Sequence, residues 1–255
     1  MIKKFLSLML VFVFMQSSLY ASPASLQFTS GSSQLICSTF PSLSNFTWEL
    51  WFNPDSFAAS DRLITKITNT GGTVHSLNFS ASSVNNFTAG MRQVTTNLTY
   101  TTSDANTRTG QWYYVGLTYQ DQTAGRVKIC MGSTTVNCIE RTYSTATDGS
   151  GNLLGDDLHS LYIGSREGLT QGFNGRIAAV RISSGSTTIP YMQDGQWQVT
   201  ITSQTVGLWV VGTSTGVSDS TIRLKDLTGH GYDCYGKSVT ESGDSPPINF
   251  GGIIQ

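Results

Sequence analysis

The chain has 255 residues, of which only 12% are charged, with 15 Lys and Arg against 16 Asp and Glu and a formal net charge of −1. So few cations, none of them clustered, exclude nucleic acid as a partner, because phosphate recognition needs many Lys and Arg on one face. The 26 glycines and 6 prolines are spread without a linker-like run, and an all-β domain of this length commonly forms one unit.

In chain order, MIKKFLSLMLVFVFMQSSLYASPAS opens with Lys3 and Lys4, an apolar run from Phe5 to Met15, and small residues at Ala21 and Ala24. That pattern predicts a secretory signal peptide over residues 1–21. The run is shorter than the ~20 apolar residues that span a bilayer, and no later segment is long and apolar enough, so no membrane span is expected. Cleavage after Ala21 removes two lysines and no acid, taking the net charge from −1 to −3. The expected product is soluble, secreted and extracellular, and covers residues 22–255.

Beyond that point apolar and polar residues alternate, and no helical period persists beyond a turn or two. Strands are predicted at Ser25–Thr29, Phe46–Asn53, Arg62–Thr68, His75–Ser80, Phe87–Val94, Trp112–Gln120, Arg126–Met131, Thr135–Thr142, Ser160–Gly164, Gly175–Ser183 and Gln204–Val211. Each is short, rich in β-branched and aromatic residues, and bounded by Gly, Asn, Asp or Ser. The fold class expected is all-β, a sandwich of two sheets. In Phe46–Phe52, period two puts Phe46, Trp48, Leu50 and Phe52 toward the core and Thr47, Glu49 and Trp51 on the opposite face. In Gly175–Ser183, the same rule puts Ile177, Ala179 and Arg181 together, opposite Ala178, Val180 and Ile182. Arg181 then points the same way as Glu49. The glycine-rich run LYIGSREGLTQGFNGRIAAVRI (161–182) leads into that strand rather than into a helix, so it reads as turns and not as a phosphate cradle.

The four cysteines, Cys37, Cys130, Cys138 and Cys234, suit an oxidising compartment, where three pairings are open. Cys130 and Cys138 flank MGSTTVN like facing positions of a hairpin, which favours Cys130–Cys138 and Cys37–Cys234. Sequons at Asn45, Asn78, Asn86 and Asn97 make N-glycosylation an expectation and predict that the region from 78 to 99 is exposed.

The segments SLQFTSGSSQLICSTFPSLSNFTWELWFNPD, GQWYYVGLTYQDQTAGRVKICMGS and LYIGSREGLTQGFNGRIAAVRIS, read in order over Ser25 to Ser183, resemble the laminin-G-like domains of the concanavalin A-like lectin/glucanase superfamily, a group similar to pentraxins. The resemblance implies a two-sheet antiparallel jelly roll. It also implies a non-catalytic role in carbohydrate recognition, adhesion or matrix assembly, often with a calcium ion. The turn Thr29–Ser33 lacks the carboxylates that relatives often carry there. The segment GLWVVGTSTGVSDSTIRLKDLTGHGYDCYG (207–236) is similar to one that precedes the domain in many relatives, and here it follows. A Cys37–Cys234 bridge would suit a tail, residues 204–255, that folds back as a permuted part of the same sheet. The tail strand could instead pair with a neighbouring copy, giving a homo-oligomer or a glycoprotein filament.

Because the superfamily includes glucanases, catalysis has to be weighed. Retaining glycosidases need two carboxylates about 5 Å apart, and Glu49 has no acidic residue two or four positions away. The chain is therefore expected not to be an enzyme, with Arg181 as the ion-pair partner of Glu49. His75, His159 and His230 are scattered, and there is no nucleophile elbow. For calcium, the candidate ligands are Asp156 and Asp157 in one loop and Asp226 and Asp233 in another; the plainer reading is that they cap turns. For a glycan or glycoprotein partner, the candidate platform is Trp51 with Glu49 and Arg181, and Trp197, Trp209, Tyr232 and Tyr235 are further aromatic candidates.

Overall fold

A computed structural model describes residues 24–67, 74–81, 85–121, 124–155, 159–185, 191–193, 196–211, 217–218 and 221–250. The segment read as a signal peptide, together with Asp156 and Asp157, lies outside them. The strands in chain order are β1 (Ser25–Phe28), β2 (Gln34–Cys37), β3 (Phe46–Pro54), β4 (Arg62–Ile67), β5 (Val74–Phe79), β6 (Phe87–Met91), β7 (Leu98–Thr102), β8 (Tyr113–Gln120), β9 (Ala124–Ser133), β10 (Ile139–Glu140), β11 (Tyr143–Thr147), β12 (Gly149–Ser150), β13 (Leu161–Ile163), β14 (Gly175–Ser184), β15 (Tyr191–Gln193), β16 (Gln196–Val199), β17 (Thr205–Val210), β18 (Val217–Ser218), β19 (Thr221–Leu224), β20 (Cys234–Lys237), β21 (Thr240–Ser242) and β22 (Ile248–Phe250). One short 3-10 turn, Glu167–Leu169, is the helical element among the described residues.

Two antiparallel sheets form the sandwich. The first runs β10-β9-β8-β3-β14-β1-β21, with β17 beside the second half of β14; the second runs β11-β7-β6-β5-β4-β13-β2-β20-β19-β18. The core between them takes Phe46, Trp48, Leu50 and Phe52 from β3, as alternation requires, against Leu35, Ile64, Leu77, Ala89, Leu161 and Ile163 from the second sheet. Rings concentrate at one end, where Phe52 lies 5.9–6.2 Å from the centroids of Phe79, Phe87 and Phe173. Among the described residues no helix is long and apolar enough to cross a membrane.

Two expectations change. Register shifts between Ile177 and Ala179 on β14, so one extra residue is accommodated there. Ile177 consequently joins Val180 and Ile182 in the main core, while Ala178 and Ala179 both turn to the outside. The strand expected over Thr135–Thr142 shrinks to β10, because Ser133 N–H turns back to the carbonyl of Val136. The glycines of the 161–182 run make turns: Gly164 has φ +78°, and a Cβ there would meet the Phe28 ring at 2.4 Å.

The tail returns to its own chain. β20 pairs with β2, setting Cys234 directly opposite Cys37, and the two are disulfide-bonded; β21 pairs with β1. Cys130 is bonded to Cys138 across the β9–β10 turn. The edges of β1 and β2 that a strand from a second copy would need are thus filled within the chain.

Candidate functional site

The residues expected to form an outward platform are buried. Trp51 and Glu49 are 0% exposed and Arg181 3%. The reason is a third layer, the small sheet β15-β16-β22, whose Trp197 stacks on Tyr114 at 4.8 Å and meets Trp51 edge-on at 6.4 Å. Val199, Leu208 and Val210 complete this second apolar cluster. Beneath it, Arg181 Nε and Nη2 donate to the two oxygens of Glu49 at 2.5 and 2.7 Å, and Tyr114 Oη donates to Glu49 Oε1 at 2.6 Å. Burial alone would lower the Arg181 pKa, but the Glu49 carboxylate more than offsets it and the net shift is upward; burial and the same charge push the Tyr114 phenol well up. Arg181 Nη1 also donates to the Thr200 carbonyl at 2.7 Å, tying the small sheet down. The cluster is a structural ion pair, and no sugar ring can stack on Trp51 in this conformation.

The Asp226 loop is likewise closed on itself. Asp226 is 2% exposed and accepts from the backbone N–H groups of Leu208, Thr228 and Tyr232 and from the Thr228 hydroxyl. Asp233 accepts from the Asp226 N–H at 2.8 Å and pairs with Arg223. Both aspartates therefore cap turns. Among the described residues no group of three or more His, Cys, Asp and Glu could hold a metal ion.

Of the sequons, Asn45 and Asn97 are exposed and Asn86 is half-buried. Asn78 is 5% exposed, and its Nδ2, the atom a glycan would use, donates to the Phe79 carbonyl at 2.7 Å. The exposure expected across 78–99 fails here and also at Phe79, Ser80, Phe87, Ala89, Met91, Gln93 and Leu98, which are buried because β5, β6 and β7 are paired strands over the core.

Of the further aromatic candidates, Trp197 and Trp209 are 1% exposed, and Tyr232 is partly buried against Phe40. Tyr235 is 44% exposed. It stands on the outward face of the second sheet, in one register row of paired residues: Arg223, Tyr235, Ile36, Tyr162, Thr65, Ser76 and Gly90. The core-facing row beside it is Leu35, Ile163, Ile64, Leu77 and Ala89, so alternation places Tyr235, Tyr162, Thr65 and Ser76 outside. Arg62, opposite Asn78, reaches across the same face and donates through Nη1 to Ser76 Oγ at 2.6 Å and Asn78 Oδ1 at 2.7 Å, and through Nε to Gln171 Oε1 at 3.1 Å. From β20 to β4 is three strand spacings, roughly 14 Å. Along this face Tyr235 and Arg223 are exposed, whereas Tyr162, Thr65, Ser76 and Asn78 are buried, at 9%, 0%, 3% and 5% exposed. Single-strand alternation does not reveal this row, since it depends on which strands pair.

A family model described as Laminin_G_3, Concanavalin A-like lectin/glucanases superfamily, matches residues 28–190. No protein of curated function matches the sequence. Among solved structures, the chain is similar to a candidate carbohydrate-binding protein from Bacteroides ovatus, with TM-score 0.60 and 17% identity over 91% of this chain and 62% of that one. It spans less than two thirds of that protein's length, and at this identity the likeness is one of fold alone. A heptameric SAP-like pentraxin from Limulus polyphemus (TM-score 0.48, 12% identity, 67% of this chain and 80% of that one) overlaps more loosely. So does the enzymatically active domain of a bacteriophage CBA120 tailspike (TM-score 0.47, 14% identity, 69% and 31%). Likenesses that loose carry no functional argument.

Proposed function

Because this chain belongs to the laminin-G-like family of the concanavalin A-like lectin/glucanases superfamily, we propose that it is a non-catalytic carbohydrate-recognition protein acting outside the cell. We place its glycan site on the outward face of the second sheet, at Tyr235. The observation that carries this reading is the exposed Tyr235 ring on the outward face, with the Arg223 guanidinium 5.8 Å from its centroid. A ring offers the apolar face of a sugar a surface to stack on, while neighbouring hydroxyls and amides meet its hydroxyl groups. Two disulfides support an oxidising, extracellular setting, and Asn45, Asn86 and Asn97 stay available as glycan acceptors. Non-catalysis is supported at Glu49, whose two oxygens are both engaged by Arg181. Tail exchange into a filament is the lesser reading, since β20 and β21 already pair within the chain.

A glycan microarray with the purified protein, followed by product analysis on every glycan bound, tests the proposal. Binding without cleavage is the expected result. Cleavage that disappears in Glu49→Gln would overturn the non-catalytic reading, and no binding at all would overturn the recognition reading.

A further inference from the structure

His75, on β5, is 1% exposed, and both of its ring nitrogens are engaged by backbone. Nδ1 accepts from the Arg92 N–H at 3.2 Å, and Nε2 lies 3.2 Å from the Leu154 carbonyl oxygen, which can only accept. Together the two bonds fix one neutral tautomer, with the proton on Nε2 and a bare lone pair on Nδ1. Arg92 and Leu154 belong to a ribbon at the end of the sandwich, where residues 92–96 run against 150–154. Its backbone bonds join Leu154 N–H to Arg92, Val94 N–H to Asn152, Thr95 and Thr96 N–H to Ser150, and Ser150 N–H to Thr96. Leu153 rests on the main core, while Val94, at 65% exposed, and Thr95, Thr96 and Asn97 face solvent. Gln93 is a second inward anchor: its Nε2 donates to Tyr119 Oη, but its Oε1 is buried without a partner among the described residues. Few side chains therefore hold the ribbon down, and His75 is the one that bonds both of its strands.

A histidine ordinarily takes up its second proton near pH 6.5. Here that proton would enter at Nδ1, where the Arg92 N–H already points, so the proton and the hydrogen bond exclude each other. The charged groups on the elements packed against His75 are Lys66 on β4, Arg92 after β6, and Asp121, reached from β8 through the hydroxyl of Tyr119, a phenol that burial pushes up. Lys66 stands directly opposite His75, 3% exposed, with Nζ donating to the Phe40 and Pro41 carbonyls at 2.5 and 2.9 Å, so a charged imidazole would arise beside a buried cation. Asp156 and Asp157, the next acids along the chain from Leu154, lie outside the described residues. We propose that His75 is an acid-released pin: uptake of one proton at Nδ1 frees the 92–96 and 150–154 ribbon and uncovers Leu153 while the two main sheets stay paired. The closed ribbon holds one proton fewer than the open one, so closure is favoured above the histidine range and is lost as pH falls through it. This inference is independent of the glycan-recognition reading.

Amide exchange of the full chain at pH 7.5 and pH 5.0, corrected for the intrinsic effect of pH on exchange, tests it. A local readout is needed because global melts also carry Asp61, whose buried carboxyl is raised to about 6. The expected result is a fall in protection of at least tenfold over residues 92–96 and 150–154 at pH 5.0, with β3, β8 and β14 unchanged. His75→Gln keeps an acceptor and a donor but does not titrate, so its ribbon should show equal protection at both pH values. His230→Gln, at an exposed histidine, and the paired change Asp156→Asn with Asp157→Asn should each leave the fall in place. If His75→Gln does not fold, nitrogen NMR of the wild-type imidazole decides: a proton on Nε2 alone is expected at pH 7.5, and a second proton on Nδ1 should arrive with the same midpoint as the loss of protection. Protection that is unchanged in the wild type, or that falls equally in every strand, overturns the pin. A fall that survives in His75→Gln, that vanishes when the two aspartates are replaced, or that occurs while Nδ1 is still bare gives the acid sensitivity to another group and overturns the assignment to His75.

Discussion

Glu49 and Arg181 form a bidentate pair sealed between the main core and the small sheet, and removing one partner leaves the other charged and buried. Glu49→Ala is expected to cost about 3–5 kcal/mol in urea denaturation, whereas the double change Glu49→Leu with Arg181→Met should recover most of the loss. Equal destabilisation by the single and double variants would contradict the ion-pair account. Asp61 behaves differently. It is 3% exposed and accepts one hydrogen bond, from the Ala58 N–H, and burial raises its carboxyl to about 6. A folded pKa above the unfolded value means the folded state holds the proton longer. Stability contributed by this group should therefore be full below about pH 4 and fall as pH rises from 4 to 6. Asp61→Asn should remove that slope and stabilise the protein at pH 7 by on the order of 2 kcal/mol, read from melts across pH 3.5–7.5. An unchanged slope would show that Asp61 is ionised freely in the fold.

Among the elements, the two disulfides constrain very different loops. Cys37–Cys234 closes a separation of 197 residues and Cys130–Cys138 one of 8. The chain-entropy relation gives about 5 kcal/mol for the first and roughly 2.5 for the second. Replacing Cys37 and Cys234 by serine should therefore lower the urea midpoint more than the same change at Cys130 and Cys138, and amide exchange should quicken in β20 and β21 before the central strands. The reverse order would contradict the docking of the tail. How far these elements were legible depended on length and pattern. β3 and β8 follow from their alternation, because their inner faces carry large residues at every second position. β2, at four residues, and β7, with its run of threonines, offer too little contrast to stand out, and pairing partners far along the chain define them instead. The bulge in β14 is invisible to a fixed period of two, which sets Ile177 outside and Ala178 inside, the reverse of the structure, while Arg181, beyond the bulge, keeps its face.

For the molecule as a whole, the third layer decides where a ligand can reach. By covering Trp51 it removes the face that alternation in β3 points to, and Tyr235 on the second sheet is left as the exposed ring among the aromatic candidates. Glu49 and Arg181 were recognisable as partners because both lie on long strands with clear alternation. Their burial was not, because β15, β16 and β22 are short and come together only through non-local pairing. The row from Tyr235 to Ser76 is hidden for a related reason: its members come from five strands scattered between residues 36 and 235, and only the sheet order brings them together. The central claim is that the glycan stacks on Tyr235, the exposed ring of this row. The most direct measurement is calorimetric titration of a microarray-identified glycan into the wild type and into Tyr235→Ala. The account predicts a loss of affinity of about tenfold or more, near 1.4 kcal/mol, with an unchanged melting temperature. Undiminished affinity in Tyr235→Ala would contradict it.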